Sequence, residues 1–137
     1  MGAESIISEA RSWLGTPFHH RAMVRGAGVD CAHFLIGVYS AVGLAPKVET
    51  ENYPPDWHFH KDEERFLGYL ERYARRVETP APGDVAMFKF GHCVSHGAIV
   101  VAWPTVIHAY FRQGVVIADA ERGAELRGRL HSFWRVA

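Results

Sequence analysis

A cysteine thiolate is a strong nucleophile near neutral pH, and it needs a base within hydrogen-bond reach. The sequence has two cysteines, Cys31 and Cys93, and nine histidines. Cys31 follows Asp30, a good helix N-cap, and opens an apolar run to Val42 that Gly43 ends. A thiol just inside a helix start meets unsatisfied backbone N–H groups and the positive end of the helix dipole. Both favour the thiolate, the reactive form. The same N–H groups, that of Cys31 among them, can hold a developing oxyanion. His96 opens a run of strand character, and His108 stands in the next one, Val106-Ile107-His108-Ala109. If the two strands pair antiparallel around Pro104-Thr105, both imidazoles lie at the same end. His108 can then orient His96, the role an Asn or Asp plays in related triads. Each residue alone has a plainer reading: Cys31 as core packing, the histidines as polar strand ends. The conjunction of the three points to thiol catalysis.

These residues require elements to carry them. Ala3 to Leu14 reads as a helix, with Ile6, Ile7, Ala10, Trp13 and Leu14 at helical spacing. Gly15-Thr16-Pro17 stops it, and Phe18 to Val29 reads as a loop. The second helix, Cys31 to Val42, is apolar nearly all round and is expected to be buried. Leu44 to Phe59 is irregular, with Pro46, Pro54 and Pro55. Lys61 to Arg75 reads as a third helix, with Arg72, Arg75 and Arg76 as a basic cluster at its end. Pro80-Ala81-Pro82-Gly83 breaks the chain, and strands follow at Asp84–Lys89, His96–Trp103, Thr105–Tyr110, Val115–Asp119 and Leu130–Val136. Helices followed by short strands indicate an α+β fold, N-terminal helices packed on a C-terminal antiparallel sheet of about five strands.

The chain has 137 residues, which fits a single domain over 1–137, and 48% hydrophobic content supports a core without disulfide staples. With 15 basic and 15 acidic residues, a broad electrostatic grip on nucleic acid or anionic membrane is not expected. No run reaches the ~20 apolar residues of a membrane span. Met1 to Leu14 is amphipathic and carries Glu4, Glu9 and Arg11 where a secretory signal needs an apolar run. The chain is therefore expected to be soluble and made in the cytoplasm.

Several blocks, in order, resemble the NlpC family of papain-like cysteine peptidases of bacterial cell walls. They are Trp13-Leu14-Gly15-Thr16-Pro17-Phe18, Gly28-Val29-Asp30-Cys31, Pro82-Gly83-Asp84-Val85, Ser95-His96-Gly97-Ala98-Ile99-Val100, and Val106-Ile107-His108-Ala109. The segment Pro54–Tyr73, with Pro55-Asp56-Trp57-His58, resembles the phage-encoded branch. The resemblance implies a papain-like fold with Cys31 as nucleophile, His96 as base and His108 as third polar residue. It implies a γ-D-glutamyl-to-diamino-acid bond in a peptidoglycan stem peptide as substrate, no cofactor, and phage tail proteins as partners. Asp30, Phe18 and Ser95 fall at substrate-facing positions; Asp30 matches a residue that meets a free amino terminus, beside its role as helix cap. Three departures bear on specificity. Ala32 and His33 stand where Ser and Gly are usual, Phe18 where Tyr is frequent, and His19-His20-Arg21 replaces a small, Gly-containing stretch.

Other readings compete. Asp30, Cys31, His33, His96 and His108 are all metal-ligand types, and His58 and His60 add a pair. However, there is no His-Glu-x-x-His helix and no Cys-x-x-Cys pair. Residues 31 and 33 also point to different faces of a helix, so no native metal site is expected. Cys93 lacks a helix start to activate it and reads as a passive thiol or a disulfide partner of Cys31. The remaining alternatives are a structural module that kept the fold, and a thiol amidase or acyltransferase using the same triad on another amide.

Overall fold

The computed structural model describes residues 2–44, 70–72 and 74–136, with the backbone alone at 93 and 95. The third helix read at Lys61 to Arg75 lies outside them except at its end, where residues 70–72 are helical. The Pro54–Tyr73 segment, with Trp57, His58 and His60, falls outside the described residues but for that turn.

Helix α1 (Ala3–Ser12) buries Ile6 and Ala10, one turn apart on one face. It ends at Ser12, with Trp13 as C-cap, two residues short of the expected end, so Leu14 falls outside the apolar stripe and is exposed. The stretch read as a loop contains a small hairpin, β1 (Met23–Val24) against β2 (Gly28–Val29). Helix α2 (Cys31–Ala41) is buried nearly all round, as its composition demands: Phe34, Leu35 and Val38 have no exposed surface.

Six strands form one antiparallel sheet in the order β3-β8-β4-β5-β6-β7. They are β3 (Arg75–Val77), β4 (Val85–Phe90), β5 (Cys93–Ala102), β6 (Thr105–Tyr110), β7 (Gly114–Asp119) and β8 (Leu130–Arg135). Two expectations are corrected. Arg75 and Arg76 belong to an edge strand opposite Arg135 and Trp134, not to a helix end. Charged side chains suit a sheet edge, where they discourage pairing with another chain. Strand β5 begins at Cys93 rather than at His96. Alternation along the strands then divides the core. Val85, Met87, Ile99, Ile107 and Ala109 pack with α1 and α2, while Ala86, Phe88, Ala98, Val100 and Val106 pack with Ala120 and Leu126. Among the described residues, no helix is long and apolar enough to cross a membrane.

The β6–β7 turn is fastened to the segment after α1. The Val115 N–H donates to the Thr16 carbonyl at 2.9 Å, and the Gly15 N–H donates to that of Val115 at 3.0 Å. Gly114 has φ 79°, and a Cβ there would overlap the Thr16 carbonyl oxygen, which is backbone and cannot swing away. Gly114→Ala is therefore expected to destabilise the protein by about 2–5 kcal/mol, combining left-handed strain with overpacking. Urea unfolding would show it as a lower midpoint; a loss below about 1 kcal/mol would mean the turn yields freely.

Candidate active site

Asp30 caps α2 as its position requires. One carboxylate oxygen accepts the His33 backbone N–H at 2.8 Å, and the other accepts the Arg21 backbone N–H at 2.8 Å. The first oxygen also faces His33 Nδ1 at 2.7 Å, so a buried imidazole and a buried carboxylate pair at the helix start. Burial pulls the Asp30 carboxyl upward, but the bonds from His33 and Arg21, with the electrostatic influence of the His33 ring, outweigh it and hold the carboxyl below its ordinary range. This carboxylate thus ties the 19–21 segment to the first turn of α2. Arg21 there has φ 65°, a left-handed conformation uncommon outside glycine. Cys31, the first residue of α2, is a buried thiol, 3% exposed.

Strand β5 is pressed onto that helix. A Cβ on Gly97 would come within 2.5 Å of Leu35 Cδ1 and 3.1 Å of Met87 Sδ, so only glycine allows this approach. Leu35 lies one turn beyond Cys31 on the same helix face. The residue before Gly97 is His96. The register between β4 and β5 shifts there: Phe88 pairs with His96, but Lys89 pairs with Val94, leaving Ser95 as the extra residue of a bulge. Bulges of this kind re-aim the neighbouring side chain.

His96 and His108 meet as their strand positions require. Ile99 pairs with Ile107 and Val100 with Val106, a register that makes His96 and His108 diagonal neighbours across β5 and β6. His96 Nε2 lies 2.8 Å from His108 Nδ1. Both imidazoles are buried. Burial, and then the nearby His108 charge, pushes His96 well below the ordinary histidine value. Burial pushes His108 down to about 4, against a smaller upward pull from Glu125. Near neutral pH both rings are therefore uncharged, and one bond joins them with one nitrogen donating and the other accepting. When His96 donates from Nε2, its Nδ1 is bare and can accept a proton.

Aromatic rings enclose the pair. Phe90 lies 5.5 Å, Tyr110 5.8 Å and Phe88 6.2 Å from His96 between ring centroids. Arg129 Cζ in turn sits 4.4 Å from the Phe90 centroid. Phe18, expected at the substrate, is half-buried and packs edge-on against the exposed Phe111 at 5.7 Å. Ser95 belongs to the bulge, and its side chain lies outside the described ones. The structure thus brings His96 and His108 into direct contact and sets Asp30 and Cys31 at the start of the helix on which β5 packs.

The Asp30–His33 pair and the Phe90–Arg129 contact were not expected from sequence. The first had a local signal, since His33 stands at the third helical position after the cap, where side chains reach back. The second joins residues 39 positions apart and had none.

This arrangement of helices on an antiparallel sheet, with a thiol at a helix start and an imidazole pair on adjacent strands, is of the papain-like α+β class. Solved structures identify the fold as that of NlpC/p60 domains. An NlpC/p60 family protein from Bacillus cereus aligns over 99% of this chain and 40% of its own length, with TM-score 0.73 and 18% identity. The NlpC/p60 domain of the peptidoglycan hydrolase SagA aligns over 100% of both chains, with TM-score 0.68 and 19% identity. RipD from Mycobacterium tuberculosis, described as a non-catalytic NlpC/p60 domain protein adapted to peptidoglycan binding, aligns over 97% of this chain and 95% of its own, with TM-score 0.61 and 14% identity. No sequence-family model and no curated protein matches the chain. The chain spans about two fifths of the Bacillus cereus protein, and identities this low establish the fold alone.

Proposed function

We propose that this protein is a cysteine peptidase that hydrolyses an amide bond in the peptide stems of bacterial peptidoglycan. The observation that carries the reading is the 2.8 Å His96–His108 contact, on a strand packed against the helix that Cys31 opens. Support for the substrate comes from SagA, a peptidoglycan hydrolase of the same fold.

In this mechanism His96 accepts the Cys31 proton, and Sγ attacks the scissile carbonyl carbon. Backbone N–H groups at the start of α2 stabilise the tetrahedral oxyanion. The C–N bond breaks as His96 returns the proton to the leaving amine. Water, deprotonated by His96, then hydrolyses the thioester and releases Cys31. His108 holds the His96 ring and its tautomer. The bond is of the γ-D-glutamyl-to-diamino-acid type, with Phe18 and Ser95 at the substrate. Peptidoglycan lies outside the cytoplasm, so the reading requires delivery there, by a phage tail in the branch that the Pro54–Tyr73 segment resembles.

RipD favours a second reading, a binding module without turnover. Mass spectrometry of purified muropeptides incubated with the protein separates the two. The peptidase reading expects paired fragments that together gain one water. Muropeptides that remain intact while being retained by the immobilised protein would favour the binding module.

A further inference from the structure

The Arg129 side chain rests on an aromatic ring, as Arg112 does 5.3 Å from the Phe111 centroid, but Arg129's ring is the one packed against His96. Arg25 is spent on Glu9 at 2.9 Å, and Arg135 on Asp84 at 2.9 Å. Among the described residues, Arg129 has no carboxylate within ion-pair distance. Its guanidinium carbon instead lies 4.4 Å from the Phe90 centroid, and Phe90 packs 5.5 Å from His96. Its backbone is fixed to the end of β4, where the Lys89 N–H donates to the Arg129 carbonyl at 2.7 Å. Glu125, four residues earlier in the chain, accepts from Gln113 Nε2 at 2.9 Å and acts electrostatically on His108. A guanidinium held over a ring face keeps its N–H donors free at its edge, while the ring restricts its rotamers. The result is an ordered, exposed cation one ring away from the buried imidazole pair.

We infer that Arg129 is a specificity-determining residue that binds a carboxylate of the substrate next to the scissile bond. The inference rests on the peptidase reading above. A guanidinium matches a carboxylate through two parallel N–H···O bonds. A γ-linked glutamyl residue carries its α-carboxyl free beside the bond that is cut. The diamino acid on the leaving side offers a second carboxyl. Both sources present the same chemistry, and a substrate series tells them apart.

The experiment compares three γ-D-glutamyl-diamino-acid peptides on the wild-type protein and on Arg129→Gln and Arg129→Lys. One has both carboxyls free, one has the glutamyl α-carboxyl as an amide, and one has the diamino-acid carboxyl as an amide. The wild type is expected to lose about 10- to 100-fold in kcat/KM on one of the two amides, the worth of one charge-assisted pair, and the sensitive amide names the source. Arg129→Gln should lose the same factor on the free peptide, mainly in KM, and nothing further on that amide. Arg129→Lys should recover part of it. Equal losses on all three peptides, or indifference to both amides, would overturn the inference. If the wild type turns over none of them, the peptidase reading fails. Titration calorimetry on the same peptides then still decides: a 10- to 100-fold weaker Kd for one amide, abolished by Arg129→Gln, supports the site, and equal Kd values reject it.

Discussion

Cys31→Ala is expected to abolish turnover of stem peptides while leaving the fold in place. The substitution removes a single buried sulfur at the first position of α2. Alanine has the highest helix propensity, and the cap is supplied by Asp30 and His33, not by the thiol. The stability cost should therefore stay near 1 kcal/mol, within the usual range for point substitutions. The expected chemical cost is total, because a methyl group cannot form the thioester of the proposed reaction. Mass spectrometry of treated muropeptides reads the activity, and thermal unfolding reads the fold. Unchanged turnover in a folded variant would sink the mechanism. Should the alanine protein melt early, Cys31→Ser supplies a control of nearly native volume whose oxygen remains a much poorer nucleophile at neutral pH.

The parts of this molecule that are legible in the sequence are those written in local chemistry. Asp30 followed by an apolar run announces α2, because capping is settled within a few residues. Thr105–Tyr110 is read with its bounds correct, since alternation and turns enclose it on both sides. The meeting of His96 and His108 follows from two strands and one tight connection between them. What escapes is structure decided by partners distant in sequence. The pairs Met23-Val24 and Gly28-Val29 are too short to show any period, and only pairing makes them strands. Arg75-Arg76-Val77 reads as a helix end until β8 is seen beside it. The early start of β5 at Cys93 and the bulge before His96 are likewise set by the Phe88–Lys89 register, not by residues 93–95 themselves.

The same division holds at the candidate site. Residue types nominate Cys31, His96 and His108 as candidates, but their surroundings come from the fold. In the sequence His33 stands only as a departure from the Gly usual at that position of the resembling family; in the structure its ring is turned onto Asp30 and completes the cap. The closeness of β5 to α2 depends on Gly97, where the sequence shows only a small residue in a strand. Burial of the imidazole pair, which sets its protonation, arises from Phe88 and Phe90 on β4 and Tyr110 on β6.

His96→Ala is expected to lower kcat/KM by ~10²- to 10⁴-fold, the range for loss of a positioned general acid–base. The wild-type pH profile carries the more discriminating information. An imidazole in water has a pKa near 6.5, and an acid limb there would report a solvated ring. Burial instead holds His96 well below that value and His108 near 4. Both rings thus stay neutral on acidification through pH 6.5, and kcat/KM should fall only on approach to pH 4. Stability follows the opposite economy of protons. Between the folded value of His108, about 4, and the unfolded value near 6.5, the unfolded chain binds more protons. Stability must therefore rise with pH through that window and be lost as pH falls through it, by about 3 kcal/mol from His108 alone. His108→Ala should flatten this slope in urea unfolding at pH 4.5 to 6.5 (about the titration window). An acid limb centred near pH 6.5, with no slope in stability, would show that the pair is hydrated and that its neutrality cannot be what readies His96 to take the thiol proton.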